Sequence, residues 1–236
     1  MDNITFCKKL REIAEDYNTV YMKGVFGAPV NEHTVSSKSA QYKNWYTEAK
    51  QEAFKKLFGK NYFGFDCVCL IKGILWGWNG DKDHIYGGAR YGKNGVPDVS
   101  VDGMKSICEG VTKDFSHIEK GELLFMPGHV GVYLGDGMAC ECTPKWENKV
   151  QITGVKNLGS TITNSRKWDY HGKLTAFIEY KPDTLPAPDK KLPKRVAIGK
   201  IDEYKDTGNN IDTTGKWDGH NSRYMKMLEK TIYRRK

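Results

Sequence analysis

Cys67 follows Asp66 and opens the series Cys67, Leu70, Ile71, Ile74, Leu75, Trp78, whose three-and-four spacing is that of a helix. Asp66 is of the type that caps a helix N-terminus. A cysteine in a first helical turn meets unpaired backbone N–H groups and the positive end of the helix dipole, and both favour a thiolate. An imidazole nearby would take up the thiol proton and return it to a leaving amine, which is the chemistry of a thiol hydrolase. Taken alone, the position reads equally as a small apolar residue packed beneath Leu70 and Ile71.

His129 changes the balance. It opens His129-Val130-Gly131-Val132-Tyr133-Leu134, an alternating segment with Val130, Val132 and Leu134 on one face and His129, Gly131 and Tyr133 on the other. Gly135-Asp136-Gly137 then turns the chain into Met138-Ala139-Cys140-Glu141-Cys142-Thr143. A two-residue Asp-Gly turn would pair 135 with 138 and leave Glu141 and His129 on opposite faces. A three-residue loop with Gly137 left-handed would pair 134 with 138. Glu141 would then lie opposite Gly131, one diagonal of ~7 Å from His129. The second register also sends Met138, Cys140 and Cys142 to the valine face, the core side, and it is the expected one. Cys67, His129 and Glu141 then make a nucleophile, a base and a carboxylate that orients the base. His33, His84, His117, His171 and His220 lack such a strand context and are expected at the surface.

The elements around these residues are predicted as follows. Residues 4–17 and about 38–58 read as helices, Cys67 begins a third, and a short one lies near 100–110. Residues 79–100 are Gly-rich and loop-like. Strands are expected at 122–126, 129–134, 138–143, about 150–155 and 174–180. Helices first and strands afterwards suggest an α+β domain with the N-terminal helices packed on an antiparallel sheet.

The motifs resemble those of the NlpC-type cell-wall peptidases, a papain-like family of bacterial cysteine hydrolases. Phe65-Asp66-Cys67-Val68-Cys69-Leu70-Ile71 is similar to that family's Asp-Cys-Ser-Gly-Leu-Val segment. Gly121-Glu122-Leu123-Leu124 and Gly128-His129-Val130-Gly131-Val132-Tyr133-Leu134 resemble its Gly-Asp-Leu and His-Val-Gly-Ile-Tyr elements. Glu141 falls at the family's third polar position, usually His, Asn or Gln; Glu there is reminiscent of the related amidase branch. Tyr21-x-x-Gly24 resembles the upstream Tyr-x-x-Gly-Gly element, with Val25 in place of the second glycine. The resemblance implies a papain-like fold over about 1–180, with Cys67, His129 and Glu141 catalytic. It implies that Tyr21 lines the oxyanion site and that Asp66 contacts a substrate amine. The implied reaction is cleavage of an amide bond of the peptidoglycan stem peptide or cross-bridge, without metal or cofactor. The alternatives are an N-acetylmuramoyl-L-alanine amidase on the same fold and a catalytically inactive wall-binding module.

The charge of +8 is uneven: residues 181–236 carry 14 Lys/Arg against 8 Asp/Glu, and residues 1–180 carry 23 against 21. A Pro/Lys-rich linker is expected at 181–195 and a short basic appendage at 196–236, with one amphipathic helix over 221–233. Its partner would be an anionic wall polymer, or equally the segment is a solvated end; no nucleic acid partner is expected. Gly215-Lys216-Trp217-Asp218 resembles the Gly-x-Trp-Gly turn of peptidoglycan-binding repeats, with Asp218 replacing the second glycine. No run of 18 apolar residues suggests a membrane span, and Met1-Asp2-Asn3-Ile4-Thr5 lacks the features of a secretory signal. The expectation is synthesis in the cytoplasm and action at the wall after lysis or holin-type release, as in phage or prophage endolysins. The spacings Cys67-x-Cys69 and Cys140-x-Cys142, with a cytosolic origin, predict free thiols rather than disulfides or structural zinc.

Overall fold

The computed structural model describes residues 1–182. Most of the expected linker, the appendage at 196–236, the 221–233 helix and the Gly215–Asp218 turn lie outside the described residues. Within them the chain is α+β, with mixed sheets. The first element is helix α1 (Asn3–Asp16), capped by the Asp2 side chain. Two short strands follow, β1 (Asn18–Tyr21) and β2 (Phe26–Pro29), then helices α2 (Glu32–Gln41) and α3 (Glu48–Lys55). Strand β3 (Tyr62–Phe65) runs directly into α4 (Cys67–Leu75), and a long loop leads to α5 (Val101–Ser106). The rest is strands: β4 (Glu109–Thr112), β5 (Leu123–Met126), β6 (His129–Gly135), β7 (Met138–Thr143), β8 (Lys149–Val155), β9 (Ser165–Arg166) and β10 (Tyr170–Lys173).

Several expectations are corrected. The sheet is not purely antiparallel, because β1 pairs with β3 and β8 with β9 in parallel. Nor do helices simply precede strands: β1, β3 and β2 form a separate three-stranded sheet, beside a seven-stranded one of order β4-β10-β5-β6-β7-β8-β9. The helix expected over 38–58 breaks between α2 and α3. Tyr46 is buried there and its hydroxyl donates to the Lys23 carbonyl at 2.8 Å, so burying this aromatic segment overrides helical continuity. The strand expected at 174–180 is shifted: β10 ends at Lys173, and Leu174 and Ile178 are buried from a turn.

The large sheet is covered on both faces, and its alternation divides two cores. Val130, Val132 and Leu134 of β6, with Cys140 and Cys142 of β7, meet Phe6 and Leu10 of α1 and Leu70 and Ile74 of α4. Tyr133 and Ala139 face the other way, into a cluster with Phe115, Leu124 and Trp168. The small sheet and α2–α3 enclose a third core around Val20, Met22, Val35 and Phe54. Every residue of α4 is buried, including Lys72. Lys72 is ion-paired with Asp98 and donates to the Val99 carbonyl at 3.1 Å, which fastens the long loop to this helix. No helix among the described residues is long and apolar enough to cross a membrane.

All six cysteines are free thiols. Burial holds Cys67 and Cys108 up to about 12 and pushes Cys69, Cys140 and Cys142 well above the usual thiol range. An unfolded chain loses those protons near pH 8.5 while the native state keeps them, so unfolding at alkaline pH releases protons. Their contribution to stability is whole below about pH 8.5 and declines as pH rises toward 12, by up to ~1.4 kcal/mol per pH unit for each thiol. The melting temperature, measured by circular dichroism under reducing conditions, should be flat from pH 7 to 8 and fall steeply from 9 to 10.5. The Cys142→Ala variant should show a shallower fall. An unchanged melting temperature at pH 10.5 would contradict this.

Candidate active site

Asp66 caps α4 and does more. One carboxylate oxygen accepts the Cys69 N–H at 2.7 Å, and the other accepts the Gly24 N–H, also at 2.7 Å. The turn after β1 is thereby tied to the start of α4. Cys67, the first residue of the helix, lines a cleft of about 720 Å³ with Tyr21, Gly24, Asp66, Lys38 and Tyr86 among its walls. The backbone groups at Val130, Val68 and Cys67 itself favour the thiolate. Burial, and then the charge of Asp66, outweigh them, so the resting group is a thiol held up to about 12. The thiolate expected from the helix N-terminus is therefore not the resting state. Desolvation of a buried sulfur beside a carboxylate is the larger effect.

The hairpin after His129 solves the parity problem in an unexpected way. Gly135 pairs with Met138, so the loop is the two-residue turn Asp136-Gly137, with φ of 52° and 69°. The expected pairing of 134 with 138 is not formed. However, the register slips between Tyr133 and Gly135, where Leu134 is an extra residue. Gly135 at that bulge has φ of 88°, a conformation suited to glycine. The bulge restores the parity that the short turn would reverse: Val132 pairs with Cys140, and Glu141 returns to the His129 face.

His129 Nε2 and Glu141 Oε2 are 2.6 Å apart. Glu141 is fully buried, and its carboxylate has further donors. Thr153 Oγ1 donates to Oε1 at 2.7 Å, Arg166 Nε donates to Oε1 at 3.0 Å, and Arg166 Nη2 reaches Oε2 at 2.7 Å. The imidazole stacks on Trp168, with centroids 5.6 Å apart and planes 14° apart. Gly131 makes room for this indole, since a Cβ there would stand 2.8 Å from it.

The structure thus joins His129 and Glu141 directly and sets the Cys67 sulfur against the N–H of the next residue, Val130. No hydrogen bond joins Cys67 and His129 among the described residues; their link is through Val130, the residue after His129. Glu141 occupies Nε2, which leaves Nδ1 as the nitrogen for proton transfer. Tyr21 lines the cleft, and burial followed by the nearby Cys67 and Asp66 pushes its hydroxyl up, so it remains an O–H donor.

Sequence reasoning missed Thr153 and Arg166. Thr153 pairs with Ala139 and so shares the Glu141 face; the alternation of β8 carried that signal. Arg166 lies in a two-residue strand with no periodicity to reveal it. His171 was expected at the surface but is buried. Its Nδ1 is bound to the Glu122 carboxylate, and its Nε2 lies 2.8 Å from the Asp114 carbonyl, so it pins β10 to β5 and to the segment before it.

Replacing Glu141 by Ala leaves Arg166, whose side chain is only 12% exposed, without its carboxylate, a loss of about 3 kcal/mol by analogy with other broken ion pairs held out of water. Glu141→Gln should lose less, and Thr153→Val about 1 kcal/mol. Urea unfolding of the three variants checks the order; an alanine variant as stable as the parent would show the carboxylate to be dispensable. Independently, iodoacetamide should alkylate native Cys67 slowly below pH 8 and faster as pH rises toward 12. Rapid labelling at pH 6 would reveal a thiolate that the buried geometry disfavours. A scan against protein-family models finds no match for this chain, and a search among curated proteins finds none either.

Proposed function

We propose that this protein is a cysteine hydrolase of the bacterial cell wall, cutting an amide bond of the peptidoglycan stem peptide or cross-bridge. One observation carries the reading: a buried cysteine opens a helix in a cleft, its sulfur against the N–H of the residue that follows a carboxylate-bound histidine. The NlpC-type resemblance of the motifs around Tyr21, Cys67, His129 and Glu141 supplies the substrate class.

Because the resting sulfur is a thiol, His129 Nδ1 takes its proton as the sulfur attacks the amide carbonyl, rather than beforehand. The negative charge that develops on the carbonyl oxygen is met by the Cys67 N–H and the Tyr21 hydroxyl. Collapse of the tetrahedral adduct breaks the C–N bond, and the proton passes from His129 to the leaving amine. Water, deprotonated by His129, then hydrolyses the thioester and regenerates the thiol. In this scheme Asp66 holds the Gly24 turn and α4 together, and a substrate amine would approach carboxylate oxygens that already accept two N–H groups.

Purified bacterial walls should lose turbidity with the parent protein and not with Cys67→Ala, which should keep its circular dichroism spectrum. His129→Ala should be equally inert. Mass spectrometry of released fragments decides the bond: free stem-peptide pieces mark an endopeptidase, whereas intact stems freed from muramic acid mark the amidase that Glu141 also suggests. Wall binding without release of any fragment would leave only the binding-module reading, and an active Cys67→Ala protein would end the thiol mechanism.

A further inference from the structure

We propose that Arg166 is a positioning residue that, through Glu141, fixes which nitrogen of His129 carries the proton. The inference rests on the reading of His129 as the base. The Glu141 carboxylate accepts from the Thr153 hydroxyl and is gripped by both Nε and Nη2 of Arg166, leaving one contact of open polarity, that between Oε2 and His129 Nε2. Either Nε2–H donates to a carboxylate, or a protonated Glu141 donates to a bare Nε2. Arg166 decides between them. A guanidinium has only donors and stays charged. A proton on Glu141 would strip that guanidinium, whose Nη2 lies 2.7 Å from Oε2 and whose Nε lies 3.0 Å from Oε1, of its counter-charge. Glu141 is therefore the anion, Nε2 carries the hydrogen, and in the neutral ring Nδ1 keeps the lone pair that the reaction needs.

The guanidinium is held for this task on all sides. Its carbon lies 4.9 Å from the Trp146 ring centroid and 5.4 Å from that of Trp168. Nη1 reaches Met126 Sδ at 3.4 Å, and Nη2 reaches Thr143 Oγ1 at 3.4 Å. Trp168 also stacks on the imidazole, so one indole aligns both ends of the array.

The test is ¹⁵N NMR of the full chain with labelled histidine, the His129 signals assigned against His129→Gln. The parent should show the Nε2–H tautomer alone. In Arg166→Met the Nδ1–H tautomer should appear beside Nε2–H, and kcat on wall fragments should fall while KM holds. Arg166→Lys, which keeps the charge and loses the fork, should return the tautomer ratio toward the parent's. A parent spectrum with the proton on Nδ1 overturns the proposal whatever the variants do. So does a folded Arg166→Met with the parental tautomer, even if it melts earlier; if that variant does not fold, an Arg166→Lys spectrum dominated by Nδ1–H overturns it as well. The NMR readout needs no substrate, so failure of the proposed reaction and failure of this inference are separate results.

Discussion

A carboxylate with no solvent contact needs its hydrogen-bonding capacity met by the protein, and in this fold Glu141 sets that requirement. Its donors come from β6, β8 and β9, which is three of the strands nearest β7. The order of the large sheet, the register of β7 on β8 and the two-residue strand β9 all serve to bring those donors to one point. The bulge at Leu134 belongs to the same requirement. Without it the tight turn would send the carboxylate among the valines, where no donor waits.

The other half of the site shows two electrostatic effects in opposition. The start of α4 offers N–H groups to the Cys67 sulfur, yet the helix is sunk so deeply that the cost of desolvating an anion prevails. Asp66 adds to this, because the residue best suited to cap the helix also places a negative charge beside the sulfur. A cap that pre-organises the backbone thus works against early ionisation, and in the proposed reaction the imidazole acts during bond formation. This is a consistent division of labour for the proposed reaction: the fold holds the groups in place, and the proton moves only when there is a carbonyl to attack.

Much of this was legible in the residues. The alternation of β6 and β7 located the core face correctly, and the spacing after Cys67 located α4. The approach of Glu141 to His129 followed from parity alone, although the device that achieves it did not: a bulge beside a two-residue turn and a three-residue loop both bring Glu141 to the His129 face. β1 and β2 were invisible because four residues are too few to carry a period. Leu174, Phe177 and Ile178 read as strand for lack of a signal distinguishing an apolar turn. Arg166 stood beyond reach for a different reason. A buried Glu announces that a cation is needed, but which of 37 Lys and Arg supplies it is decided by tertiary structure.

The contact between Gly131 and Trp168 has a consequence for how this protein can change over time. The indole lies where any side chain at 131 would stand, and it also aligns the imidazole and the guanidinium. Neither position is free to drift by itself. A larger residue at 131 evicts the indole, and a smaller one at 168 opens a void beneath the histidine. Descendants of this sequence that retain the array must inherit the two together, so in a lineage the pair behaves as a single character.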